Sequence, residues 1–372
     1  MDPQTVFCHN TDCPARGQIG EGNIGIHSRK EGRYICHVCG KTFSARKGTV
    51  FYRLRYSVEF VTQMVTLLAY GCPVAAIVAA FNLDERTVYD WHQRAGIHCQ
   101  QVHTHLVQHP RDLGQVQADE IRVKHQGGIA WLAQALQVPT RLWLGGVVSA
   151  CRDGTLITRL MAQVRLCALY RPLLFCVDGL AAYVSSIQTV FRTALFTGKR
   201  GRPPMRHWDT ICIVQVVKQV SGKRVMAVVR RLARGTQAQV DLLLKQTQNT
   251  TTAHVAYIER LNGTFRSRIT ALVRRGRALV RQLATLEQAM FLVGSVYNFC
   301  HPHQSLRRVL YLPDNTRRWV SMTPAMEAGI TRHIWTVEEL LAYQVPLPRF
   351  EPPKRRGRRS KKLQQLIDRW LK

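Results

Sequence analysis

Residues 113–193 constrain the fold more than any other stretch of the chain. Short apolar runs at 115–123, 129–137, 141–150 and 173–178 alternate with stretches of helical spacing at 155–169 and 180–192. Apolar runs bounded by turns suit buried strands, and apolar residues every three or four positions suit amphipathic helices. The alternation therefore predicts a mixed α/β domain. The flanking segments differ in character. Residues 1–50 carry four cysteines and little periodicity, while Ser57–Gly96 reads as three short helices. Residues 197–240 are basic and include two β-branched runs that meet at Ser221 and Gly222, the pattern of a hairpin. Long helices are expected at about 253–275 and 282–298, followed by a proline-punctuated section and a tail with ten cations and two acids. No internal repeat is visible. The expectation is a multidomain α+β chain divided at 1–50, 51–99, 113–310, 311–348 and 349–372. In this scheme 197–240 is a basic, hairpin-bearing insertion, 311–348 a helical extension and 349–372 a basic tail.

The 372 residues carry 53 Lys and Arg against 23 Asp and Glu, a formal charge of +30. Self-repulsion on that scale disfavours a compact state, so a polyanionic partner is expected, nucleic acid first. A membrane is a poor alternative, because no apolar run approaches the ~18 residues that span a bilayer. The opening MDPQTVFCHN has neither a cationic nor an apolar region, so it does not read as a signal peptide. The eleven cysteines then read as reduced, intracellular thiols.

Four of those cysteines are spaced for a metal. Cys8 and Cys13 form a C-x4-C pair and Cys36 and Cys39 a C-x2-C pair, with Gly40 after the last thiol. Two cysteine loops brought together offer four thiolates in a tetrahedron, which Zn2+ prefers. This predicts a zinc ribbon, with His9 or Asp12 as substitute ligands because the first loop is long. Downstream, Ser57 is a candidate N-cap, Pro73 opens a second helix, and Asn82-Leu83-Asp84 makes a turn. The segment ERTVYDWHQRAG then reads as a recognition helix ending at Gly96. Together these elements predict a helix-turn-helix whose Arg86, Tyr89 and Gln93 face a DNA groove.

Acids are scarce in the α/β region. Between Gly114 and Leu286 there are seven: Asp119, Glu120, Asp153, Asp178, Asp209, Asp241 and Glu259. Asp119 and Glu120 sit at adjacent, opposite-facing positions of a predicted strand. Asp178 ends a buried apolar strand, where open α/β sheets present their chemistry. Glu259 lies on a predicted helix with Asn262 and Arg266 following at spacings of three and four on its polar flank. Three carboxylates from two strands and a helix can hold two Mg2+, which suit hard oxygen donors and in-line displacement at phosphorus. Asp153, Asp209 and Asp241 lie in turn, basic or polar surroundings and are weaker candidates.

These residues carry a resemblance. "ADE" with Asp119, "VDG" with Asp178 and Tyr183 after it, and "YIERLNGTFR" with Glu259 and Arg266 resemble the DDE transposases of bacterial insertion sequences. That family belongs to the RNase H-like integrase superfamily. Its last acid is typically followed two helical turns on by Lys or Arg, a position that Arg266 fills. "YNFCHPHQSL" resembles the family's Asn-and-His segment through Tyr297, Asn298, His303, Ser305 and Leu306. A zinc ribbon with a helix-turn-helix is a known front end in some members. The likeness covers roughly residues 5–345. It implies an RNase H-like catalytic domain, a triad of Asp119, Asp178 and Glu259 binding two Mg2+ or Mn2+, and Arg266 on a DNA phosphate. It also implies DNA cleavage and strand transfer at the element's terminal repeats, in a dimer or larger assembly within the bacterial cytoplasm, on the nucleoid. The choice of Asp119 over Glu120 rests on the family pattern. Here 80 residues separate Asp178 from Glu259, more than in many members, and the hairpin region is read as the insertion responsible. If it is not, Asp209 or Asp241 becomes the rival third acid.

Further cations fit a DNA partner. GKRGRPP, with Arg200 and Arg202, resembles an AT-hook core that lays arginines in a minor groove. Arg274 and Arg275 lie beyond the Glu259 helix and could grip phosphates, and the Lys354–Lys362 run predicts a salt-sensitive, non-specific contact.

Overall fold

The computed structural model describes residues 1–372 except 197, 199–200, 223, 274–275, 277, 312–315, 353–358 and 372. Two compact units result: Met1–Val61 with Leu341–Lys372, and Thr62–Leu340.

In the first unit β1 (Ile24–Ser28), β2 (Arg33–Cys36) and β3 (Thr42–Ser44) form an antiparallel sheet in that order. Its small core holds Val6, Ala15, Ile24, Tyr34 and Phe43 around three of the cysteines. The C-terminal helix Lys361–Trp370 adds Trp370 to that cluster. The stretch 349–372, expected only as a basic tail, therefore contributes a helix and an apolar anchor.

The second unit contains most of α1 (Val58–Ala69), then α2 (Val74–Phe81) and α3 (Glu85–Leu106). Asp84 caps α3 by accepting from Arg86 N at 2.9 Å and Thr87 N at 3.2 Å, an N-cap of the expected kind. The expected end at Gly96 is not found: α3 runs on to Leu106. The glycine serves a different need. A Cβ at Gly96 would lie 2.5 Å from Gln288 Cβ and 2.6 Å from Gln288 O, on α8 (Leu283–Phe299). Gly96 is thus where two helices approach too closely for any side chain, and it does not stop the helix.

The rest of this unit is built on a six-stranded mixed sheet. Its strands are β4 (Gln115–His125), β5 (Gly128–Gln137), β6 (Trp143–Ser149), β7 (Leu173–Val177), β10 (Ile211–Ser221) and β11 (Arg224–Arg234). Among the described residues the order is β11-β10-β7-β4-β5-β6, with β4, β7 and β10 mutually parallel and the other neighbours antiparallel. A small side hairpin, β8 (Arg192–Ala194) and β9 (Met205–His207), stands apart from it. Helices α4 (Gly154–Cys167), α5 (Ala181–Val190), α6 (Gln237–Gln248) and α7 (Ala256–Arg268) connect and cover the strands.

Four expectations need correction. The hairpin of 197–240 does not stand outside the sheet: Ile211–Gln215 pair in parallel with Leu173–Val177, so β10 is an interior strand. Only the distal half projects, with Val220, Val225 and Met226 exposed. Helix α7 ends at Arg268, short of 275, because Ile269 is extended (φ −116°, ψ 108°) and a 3-10 turn at Thr270–Leu272 follows, which buries Leu272. Helix α6 had no counterpart in the sequence reading. Finally, 311–348 is not wholly helical: Arg308–Tyr311 pairs with Arg317–Val320 before the short helices Pro324–Glu327 and Val337–Ala342. Among the described residues no helix is long and apolar enough to cross a membrane.

Candidate functional site

The cysteine quartet is gathered as its spacing requires. Cys8 Sγ lies 3.6 Å from Cys39 Sγ, and Cys13 Sγ 3.8 Å from Cys36 Sγ. A tetrahedron with Zn–S bonds of about 2.3 Å has edges of about 3.8 Å, whereas a disulfide needs about 2.05 Å. The four sulfurs therefore fit a zinc ion. The Cys36 turn closes through Gly40 N, which donates to Cys36 O at 2.8 Å, with Gly40 at φ +70°. Crowding sets the thiols against one another: donation from Cys13 and then Cys8 holds Cys36 far below the usual thiol range, and Cys13 is pushed far above it. Neither substitute ligand belongs to the cluster. The His9 ring lies 4.5 Å from that of Phe7, and burial lowers its pKa to about 4; Asp12 is exposed.

The acidic cluster forms where β7 ends and its parallel pairing with β4 stops, while β4 itself runs on to His125. The register that pairs Ala118 with Val177 puts Asp119 beside Asp178 as the next pair. Alternation along β4 then divides its residues between two layers. Gln115, Gln117 and Asp119 share one face. Gln115 Oε1 accepts from Thr247 at the end of α6 at 2.7 Å. Gln117 Oε1 accepts from Tyr257 N and Ile258 N at 3.0 Å each, satisfying orphan donors at the start of α7, while its Nε2 donates to His254 O at 2.7 Å. Asp119 Oδ2 accepts from Asn262 Nδ2 at 2.7 Å, and Asn262 Oδ1 accepts from Gln134 of β5. Glu120 points to the other layer, where it meets Arg152 and the buried Tyr183 of α5. One oxygen from each of Asp119, Glu120 and Asp178 still falls within 4.8 Å of the others.

Two cations answer these acids. Arg152, from the loop before α4, donates to Glu120 Oε2 at 2.8 Å and to Asp178 Oδ2 at 3.2 Å, and its guanidinium lies 4.9 Å from the Trp131 ring centre. Glu259 lies outside the cluster; its carboxylate pairs with Lys218 of β10. Burial, then repulsion from Glu120, Asp178 and Glu259, pushes Asp119 up to about 6. Burial also raises Glu120, against the pull of Tyr183 and Arg152. The phenol is close enough to perturb Glu120, but neither Tyr183 Oη nor Glu120 Oε1 completes a hydrogen bond of good geometry. A buried carboxylate oxygen without a partner is the feature a bound cation would satisfy. No family model matches this chain, and no curated protein matches it.

The remaining expected residues are scattered. Arg86, Tyr89 and Gln93 are exposed on the first turns of α3, Arg202 is exposed and Arg266 is half-buried. Arg200, Arg274 and Arg275 lie outside the described residues. Asp153 caps α4 through Leu156 N at 3.0 Å, Asp209 is held by Tyr170 and Arg206, and Asp241 accepts from Gln237 at 2.8 Å. None of these three joins the cluster. Sequence reasoning missed Arg152, Lys218, Gln117 and the buried role of Asn262, which was expected on a polar flank. It also missed α6, although Thr236 and Gln239 form a capping box whose T-x-x-Q signature is readable.

Proposed function

We propose that the chain is a DNA transposase of the DDE type, with the sheet of the second unit as an RNase H-like catalytic domain. In this reading Cys8, Cys13, Cys36 and Cys39 hold zinc in a ribbon, and α1–α3 form a helix-turn-helix that binds terminal repeats. The observation that carries the proposal is the clustering of Asp119, within β4, with Asp178, just past the end of its parallel neighbour β7, in a chain of charge +30. The order β6-β5-β4-β7-β10, with helices on both faces, supports the fold reading.

The residues fit a divalent metal: hard oxygen donors, a buried unpartnered Glu120 oxygen, and Arg152 already drawn into the site as a cation. When bound, Mg2+ would supply activation of the attacking oxygen and stabilisation of the leaving oxygen in phosphodiester cleavage and strand transfer. Asp119, Glu120 and Asp178 would hold it. Asn262 and Gln134 fix the Asp119 carboxylate, and Gln117 fixes the helix that carries Glu259. In this reading Arg152 and Lys218, released from the acids, would meet phosphate oxygens. DNA, a homo-oligomer at paired ends and a nucleoid location follow from the same reading.

One observation favours a second reading, a DNA-binding regulator without catalysis: Glu259 is tied to Lys218 and stands outside the acidic cluster. Labelled duplex carrying the DNA that flanks the gene, incubated with the full chain and Mg2+, separates the two. The transposase cuts and joins; the regulator only binds; cutting without joining marks a simple nuclease. Asp178→Asn and Glu259→Gln should bind without cutting, and full activity in either would remove that acid from the mechanism.

A further inference from the structure

Helix α7 carries two polar flanks. Glu259, Asn262 and Arg266 follow one another along one flank, and Tyr257, Arg260 and Thr264 along the opposite one. The second flank lines a cavity of about 90 Å3, with Arg141, Tyr297, His301 and His303 on its other walls. At about 30 Å3 per water, it has room for roughly three waters or one small tetrahedral ion. Among the described residues that line it, none is acidic.

Arg141 is held there at some cost. Its φ is +59°, the left-handed region that a non-glycine residue enters only under strain. The strained turn lays its guanidinium 3.6 Å from the Tyr257 ring centre and ties Nη1 to Val138 O, while Nε is buried without a partner. Strain is kept where the surroundings over-determine it, often at ligand sites. Ser305 Oγ lies 2.9 Å from His303 Nδ1, leaving Nε2 for a ligand. Burial, then the charges of Arg141 and Arg260, lowers the pKa of His303; burial and Arg268 lower that of His301. The site gathers positive charge and donors, and no acid is among the described residues that line it.

We propose that Arg141, Arg260, His301 and His303, backed by Tyr257 and Tyr297, form a receptor for one phosphate group, across α7 from the carboxylates. The ligand chemistry is a tetrahedral oxyanion bearing one or two negative charges. That its source is DNA rests on the transposase reading; that the pocket takes phosphate does not.

The test uses the full chain and inorganic phosphate, read by thermal shift against chloride at equal ionic strength. Charge-assisted hydrogen bonds to two arginines predict that Arg141→Gln/Arg260→Gln weakens phosphate binding about 10- to 100-fold. The charge-matched control Arg159→Gln/Lys245→Gln, at exposed sites, should leave it within about twofold. Arg260→Gln alone, on an exposed residue, reads the same pocket should the strained Arg141 position fail to fold when changed. Equal binding by wild type and Arg260→Gln, or an equal loss in the control, overturns the proposal. Two duplexes that differ only in a 5'-phosphate or 5'-hydroxyl then identify the source. A preference for the phosphorylated end that Arg260→Gln removes assigns a terminal monoester; an equal loss on both assigns an internal phosphodiester. Phosphate binding that depends on Arg260 in a chain that never cuts DNA leaves the receptor standing and removes the transposase.

Discussion

Replacing Arg152 by Ala should destabilise the second unit in a pH-dependent way. The Glu120 side chain is 0% exposed, against 35% for Arg152 and 32% for Asp178. The Arg152–Asp178 pair is open to solvent and is worth about 0–1 kcal/mol. The Arg152–Glu120 pair is not: removing one partner of a buried pair strands the other charge, at about 3–5 kcal/mol. Arg152 is a third exposed, so water can relieve part of this, and the lower end of that range, about 3 kcal/mol, is expected. With an m value near 3 kcal/mol/M, that moves the urea midpoint down by about 1 M. The sign with pH follows from linkage. Arg152 lowers the Glu120 pKa, so its loss raises a folded-state value that burial has already raised. A carboxyl raised in the folded state costs stability as pH climbs through its folded value, and the cost vanishes once pH falls below the unfolded value. The deficit of Arg152→Ala should therefore be full at pH 8 and nearly absent at pH 4. Adding Glu120→Gln to Arg152→Ala should restore most of the lost midpoint at pH 8. Urea titrations of the wild type, both single variants and the double variant at the two pH values make the check. A deficit that does not change with pH, or a double variant no better than Arg152→Ala, would refute the buried-charge account.

Other expectations follow from the same geometry. Asp119 titrates at about 6 when folded, against about 3.9 unfolded, so its charge opposes folding above that window. Asp119→Asn should abolish cutting yet raise stability by about 2–3 kcal/mol at pH 8, and the gain should disappear below pH 4 in urea melts. Chelation should release one zinc and expose four reactive thiols. It should unfold Met1–Val61 with Leu341–Lys372 while Thr62–Leu340 keeps its circular dichroism signal; intact signal from the first unit would count against zinc. Gly96→Val should cost about 1–3 kcal/mol because Gln288 backbone atoms lie under the new Cβ, and an unchanged melting temperature would contradict the close helix approach.

What could be read from the sequence was whatever local pattern encodes. The strands of 113–193 were legible because buried strands are short apolar runs, and Asp178 because it punctuates one. The cysteine pairs were legible because each joins its two thiols through a loop of a few residues, a local spacing that signals a thiol cluster. Arg152 was not: it sits in a loop, and its meaning depends on Glu120 and Asp178, 32 and 26 residues away. Asn262 and Gln117 look like surface amides until the fold buries them against a strand and a helix end. Gly96 misled for a related reason. A glycine after a helical run is equally consistent with a stop and with a neighbour, and only α8 decides between them. The role of β10 was hidden because interior and projecting strands share the same β-branched composition; its pairing with β7 is a long-range fact.

The continuity of α3 carries a mechanical consequence. Its 22 residues make a rod of about 33 Å. Arg86, Tyr89 and Gln93 are exposed near one end, while Gly96 and the buried Cys99, Val102 and His103 seat the remainder within the same unit as the sheet. No linker interrupts that rod. One unbroken helix thus joins the exposed first turns of α3 to the part of the unit that packs on α8, so a ligand held at Arg86, Tyr89 and Gln93 meets the sheet's unit through continuous helical backbone.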